Sequence, residues 1–174
     1  MKNRFAIVAI AATVALTGLS YISNMAGAAS PRVTAPSCAP ASIVAKRGPS
    51  DGAAGTIYYH LRLTNTSAVN CSLHGPVSAQ PVVGAAHTPV GPASRKIVLA
   101  GRGAVVTLAA HHGVTNVLYG VVEAGNYSPA QCGAKNANGV MVTLGAEKYY
   151  FALPAQQVCV KLASTTVTGL APGL

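Results

Sequence analysis

The feature that most restricts this chain is its punctuation. Glycine, alone or before proline, recurs at Gly52, Gly55, Gly75-Pro76, Gly84, Gly91-Pro92, Gly101, Gly103, Gly113, Gly125, Gly133, Gly139 and Gly145. The gaps suit short strands, and no window of about 12 residues or more keeps a helical apolar period without meeting a breaker. What fills the gaps has a period of two. Thr56 to Thr64 places Ile57, Tyr59, Leu61 and Leu63 on one face and Tyr58, His60, Arg62 and Thr64 on the other, the pattern of a half-buried strand. The alternation returns in Ala104, Val106, Leu108 and Ala110, in Val140, Val142 and Leu144, and in Val158, Val160 and Leu162. Shorter β-rich runs lie at 42–46, 77–83, 96–99, 116–122 and 148–153. Eight or nine short strands between such turns predict an all-β domain, an antiparallel sandwich rather than a barrel. There is no internal repeat and no interdomain linker.

The first residues read differently. Lys2 and Arg4 precede an uncharged, mostly apolar run from Phe5 to Leu19, and small residues follow up to Ala26-Gly27-Ala28. This is the layout of a secretory signal peptide, and the run is shorter than the about 20 residues that span a bilayer. The expected organisation is a cleaved signal at 1–28, a short flexible leader at 29–37 and a single β-sandwich domain at 38–174. No cysteine directly follows the apolar run to take a lipid, and glycine, proline or charge interrupts every later candidate for a spanning helix. The expected location is extracellular or wall-associated.

Cys38, Cys71, Cys132 and Cys159 all lie beyond the expected cleavage point. An even cysteine count in a small exported domain reads as two disulfides, because export removes the thiols from the reducing cytosol. Three pairings are open. Cys38 with Cys71 and Cys132 with Cys159 is favoured, since each bridge then ties neighbouring segments without interlocking the two halves of the chain. In the chain-entropy picture each bridge contributes on the order of 3 to 4 kcal/mol. Zinc sites bring cysteines in tight pairs, whereas no two cysteines here are closer than 27 positions, so thiol-bound metal is not expected.

Cleavage would leave ten lysines and arginines against Asp51, Glu123 and Glu147, a net charge of +7. Long-range steering then favours anionic partners, which outside a cell are wall polymers, acidic headgroups or acidic polysaccharides. The basic residues stand singly or in pairs, so neither a nucleic-acid tail nor a polybasic membrane anchor is expected.

Three segments together resemble a known family: Gly52-Ala53-Ala54-Gly55-Thr56 leading into the aromatic strand; Leu63-Thr64-Asn65-Thr66-Ser67 followed by Cys71-Ser72-Leu73-His74-Gly75-Pro76; and two late cysteines. The chain is similar to the secreted four-cysteine domain of actinobacteria, catalogued as a domain of unknown function. The likeness runs from about Cys38 to Pro172, and its most specific part is the Asn-Thr-Ser to Cys-x-Leu-x-Gly-Pro block. The resemblance implies an exported immunoglobulin-like β-sandwich, often a lipoprotein or wall-associated, with no established activity and no catalytic residues to carry over. Leu99-Ala100-Gly101-Arg102-Gly103 stands where that family usually has a Pro-Gly turn, and the tryptophan common in its central strand is absent. The block also has a physical reading of its own. Asn65 can bond its neighbouring backbone in an Asx-type turn that ends the strand, and Gly75-Pro76 makes a second turn.

Chemistry finds little material. Three acids do not supply general acid–base pairs: nothing brings Glu123 and Glu147 together, and Asp51 reads as part of a glycine-rich turn beside Ser50. No nucleophile elbow and no phosphate-cradling loop before a helix is expected, so the chain reads as no enzyme. His111-His112, with His60, His74 and His87, forms the constellation nearest to a metal site. Adjacent histidines on a strand point to opposite faces, so at most one could join another ligand unless the pair sits in a loop. Solvated turn histidines explain them, and no metal or other cofactor is expected. Tyr58, His60 and Arg62, sharing one outward face, are the candidate contact surface for an anionic wall polymer or an envelope protein. The structural alternative is a tyrosine on the second sheet face covering a gap in the core. Lys148, Tyr149 and Tyr150 juxtapose basic and aromatic groups a second time, but export argues against nucleic acid as the partner. The expected function is a secreted, non-catalytic binding or structural module of the bacterial cell envelope, with a histidine-dependent metal-binding protein or a small secreted enzyme as the alternative.

Overall fold

The computed structural model describes residues 34–172; the expected signal segment and residues 29–33 of the leader lie outside the described residues. The elements are β1 (Ile43–Ala53), β2 (Thr56–Asn65), β3 (Cys71–His74), β4 (Val77–Val83), β5 (Thr88–Pro89), β6 (Arg95–Ile97), β7 (Val105–Leu108), β8 (Val114–Val122), the one-turn helix α1 (Pro129–Cys132), β9 (Ala134–Leu144), β10 (Glu147–Cys159) and β11 (Thr165–Thr168). They form a five-stranded sheet ordered β1-β2-β8-β11-β6, a four-stranded sheet ordered β10-β9-β4-β5, and a β3-β7 pair. The protein is all-β, and the two larger sheets share one core in a sandwich-like arrangement. Tyr59, Leu61, Leu63, Val117, Tyr119, Val121 and Val167 face inward from the first sheet. Val77, Ala79, Val140, Val142, Leu144, Tyr149, Phe151 and Leu153 meet them from the second.

Several expectations need correction. The sheets are antiparallel except for β11 and β6, which run parallel. Parallel neighbours need a long connection between them, and β7 to β10 all intervene in the chain. The two late runs at 148–153 and 158–162 are one strand, β10, whose register shifts between Ala152 and Gln156. Pro154 lies in that irregular stretch, and because β10 is an edge strand its missing N–H breaks no inner ladder. The strand ends at Cys159, leaving Val160 and Leu162 outside. β1 likewise runs on through Gly48-Pro49 with a shift between Arg47 and Ser50, so Asp51 lies on a strand rather than in a turn. Three elements, β5, β11 and α1, carry no apolar alternation and were not expected. In β11 all three threonines are buried, and the hydroxyls of Thr165 and Thr168 find partners, Thr165 with Ser94 at 2.8 Å and Thr168 with Arg102 at 3.1 Å. α1 is held by a capping box between Ser128 and Gln131 and stopped by Gly133 at φ 58°.

Cys38 is bonded to Cys71 and Cys132 to Cys159, the two pairs named above. α1 delivers Cys132 to the end of β10, and the first bridge fastens the N-terminal segment to β3. Pairing there begins inside the segment expected to be a flexible leader: Ser72 N–H donates to the Pro36 carbonyl at 2.7 Å and Cys38 N–H to the Ser72 carbonyl at 3.0 Å. Asn65, wholly buried at the end of β2, makes the Asx turn. Its Oδ1 accepts from Ser67 N–H and Oγ, and its Nδ2 donates to the carbonyls of Val69 and Ala109.

Candidate functional site

The ladder registers align rows of side chains across the outer face of the five-stranded sheet, because directly paired residues share a face. One row is cationic: Lys46 of β1 stands opposite Arg62 of β2, which stands opposite Asn116 of β8. The Arg102 guanidinium closes this row, donating to Asn116 Oδ1 at 3.0 Å and to Thr168 Oγ1 at 3.1 Å. The next row is His60, Leu118, Thr168 and Ile97; the third is Asp51, Tyr58, Gly120, Thr166 and Arg95. Tyr58, His60 and Arg62 therefore do share one outer face, as their alternation predicts.

Two glycines shape this surface. A methyl group at Gly120 would meet Thr166 Oγ1 at 2.5 Å and the Tyr58 ring at 3.0 Å, so the ring lies across that gap in β8. One at Gly48 would meet Arg62 Nε at 3.1 Å, which shows the guanidinium stem crossing the irregular part of β1. Beside Tyr58 a groove of about 220 Å³ opens between Ile97, Leu99, Leu118, Thr166 and Thr168. Its walls are largely apolar. The tyrosine thus both covers a backbone gap and forms one wall of a groove.

The electrostatics are one-sided. His60 Nε2 lies 3.2 Å from Asp51 Oδ2, and among the described residues this is the one carboxylate contact of a basic side chain. Lys46 and Arg62 face each other without an acid between them. Like charges directly opposed across a ladder are destabilising. Arg102 is half-buried and held by neutral acceptors alone, and burial draws its pKa below the usual arginine value.

Other sequence candidates lie elsewhere. His111 and His112 occupy the turn after β7, with ring centroids 6.4 Å apart and tilted by 50°. Strand alternation therefore does not separate them, but the hollow beside His112 is lined by Thr107, Leu108, Ala109, Ala110, Gly113 and Val114, without a second ligand. Among the described residues no three His, Cys, Asp or Glu side chains gather as a metal site. Glu123 and Glu147 line different clefts. Tyr149 and Tyr150 part company: Tyr149 is buried, while Tyr150 stacks on His87 at 3.8 Å. One signal in the sequence was passed over. Gly48-Pro49-Ser50-Asp51-Gly52 has the glycine–serine–glycine spacing of a nucleophile elbow. It lies within β1, not between a strand and a helix, and Ser50 pairs with Tyr59, on the face opposite Asp51 and His60. The three do not form a triad. The groove residues Ile97, Leu99, Leu118, Thr166 and Thr168 were also missed as a group, since only the register of three strands brings them together.

Comparison with known proteins adds one finding. No curated protein and no solved structure matches the chain. A family model described as a domain of unknown function, DUF4232, matches residues 38–170, from the first cysteine to the last buried leucine. The chain belongs to the DUF4232 family.

Proposed function

We propose that this domain is a secreted, non-catalytic binding module that holds an anionic polymer of the cell envelope against the outer face of its five-stranded sheet. The observation that carries this reading is the row Lys46, Arg62 and Arg102, three cations that meet no carboxylate among the described residues, set beside the Tyr58 groove. A fold gains nothing from Lys46 opposite Arg62, whereas a polyanion laid across the row relieves the repulsion and draws on both charges. Two disulfides are consistent with an oxidising exterior, and no helix among the described residues is long and apolar enough to cross a membrane.

The test is retention of the purified protein on envelope fractions across a salt gradient. Wild-type protein is retained at low salt and released as salt rises. Tyr58→Ala with Arg62→Ala, both on the outer face, lowers the releasing salt concentration while leaving the thermal midpoint within a few degrees. Unchanged retention of the double variant refutes the assignment of this face. Stoichiometric copper or zinc in the purified protein would instead favour a metal-carrying role through the histidines.

A further inference from the structure

β6 is the outermost strand of the five-stranded sheet, and among the described residues nothing pairs with its free side. Such an edge presents unpaired N–H and C=O groups, a template for another strand. Proteins usually guard it by keeping it short and charged, and β6 is short, with Arg95 and Lys96 exposed. The chain then departs from that pattern. Ile97, Val98 and Leu99 are all exposed, Val98 by 87%. A strand guarded only against association has no use for three consecutive exposed aliphatic residues beside its cations.

Their side chains also line two separate depressions. Ile97 and Leu99 wall the outer groove with Tyr58, Leu118 and the two threonines. Lys96 and Val98 alternate with them and line a hollow of about 130 Å³ together with Pro76, Val77 and Arg102. A free strand edge flanked on both sides by shallow apolar depressions is the arrangement that receives an added strand: main-chain bonds run along the edge while alternate side chains drop to either side. Arg95, Lys96 and Arg102 lie along it and touch no carboxylate among the described residues. The preferred occupant is therefore acidic. A second copy of this chain, with its excess of basic residues, does not meet that requirement.

We propose that the edge formed by β6 and the following Val98-Leu99 binds an extended acidic segment of a protein partner by strand addition, with aliphatic side chains at alternate positions. This edge shares Arg102 and the Tyr58 groove with the polymer face and differs from it in the unpaired main chain of β6 and in Lys96 and Val98, whereas Lys46 and Arg62 belong to the polymer row alone. The probe is a fluorescent peptide of alternating valine and glutamate, about six residues long as an ordinary strand is, titrated into the full disulfide-bonded protein and followed by anisotropy and backbone amide shifts. Saturable binding is expected, with the largest shifts and new exchange protection at Arg95 to Leu99. Lys96→Glu with Val98→Glu, both at exposed positions, weakens it at least about tenfold, the effect of losing one charge contact and one apolar contact. Arg62→Ala leaves peptide binding unchanged, so failure of this proposal and failure of the polymer site are read by separate variants. The proposal is overturned by equal affinity for a control peptide of alternating valine and lysine, by shifts confined to β2, by absence of binding at millimolar peptide, or by finding that the edge is covered by a second copy at equilibrium.

Discussion

Asn65 shows how one side chain can hold a corner. It is fully buried, yet both ends of its amide are used, toward Ser67 on one side and the carbonyls of Val69 and Ala109 on the other. It thereby ties the end of β2 to the loop entering β3 and to the turn after β7. Replacing it with alanine leaves several part-buried groups unpaired, at about 1 to 3 kcal/mol for each group left dry. Asn65→Ala should lower stability by about 2 to 4 kcal/mol, measured by urea unfolding; a loss within about 0.5 would mean that water replaces the network. Tyr119 makes a different kind of prediction. Burial pushes its hydroxyl far above the usual tyrosine range, and among the described residues that hydroxyl finds no hydrogen-bond partner, since the nearby Thr165 and Ser94 hydroxyls bond each other. Burial raises Tyr59 and Tyr149 as well, opposed by Arg47 at Tyr59 and reinforced by Glu147 at Tyr149. A phenol held neutral in the fold stabilises it fully below its unfolded value of about 10, and that contribution is lost as pH rises past it. The urea midpoint should therefore be insensitive to these groups below about pH 10 and fall above it, and more shallowly in Tyr119→Phe.

Elements whose residues alternate were legible, and those that rest on tertiary partners were not. β2 follows from alternation because one of its faces is apolar and the other is not, and β4 from a β-rich run between flanking turns. β11 was invisible because Thr165 and Thr168 are buried through hydroxyl bonds to Ser94, Arg102 and the Leu118 amide, which lie far away in sequence. The run through Gly48-Pro49 reads as a loop locally and becomes strand because β2 offers a partner on one side only. The candidate site divides the same way. Tyr58, His60 and Arg62 share a face by simple period, but Lys46, Arg102 and the groove joined them through register. The two disulfides act at this scale, since α1 and β3 are too short to be stable alone. Removing either pair as a double alanine variant should cost about 3 to 4 kcal/mol, from the size of the loops closed. Calorimetry of the two variants checks this, and a loss below about 1 kcal/mol for either would place that bridge outside the folding unit.

For the whole molecule, scarcity of acids is the organising fact. With three acidic side chains in the chain and one of them beside His60, the outer cations Lys46, Arg62 and Arg102 meet no carboxylate among the described residues, and their field is left for something outside. The five-stranded sheet lines them up, and the disulfides fasten other parts of the fold, the N-terminal segment to β3 and α1 to the end of β10. The most direct measurement is the affinity of the purified protein for a soluble anionic wall polymer as a function of salt. Counterion release makes the logarithm of affinity fall linearly with that of salt, each cation contact contributing a slope of about one. The expected result is a steep negative slope, made shallower by about one unit in Lys46→Ala and again in Arg62→Ala. A slope that neither substitution changes would contradict the assignment of the outer face.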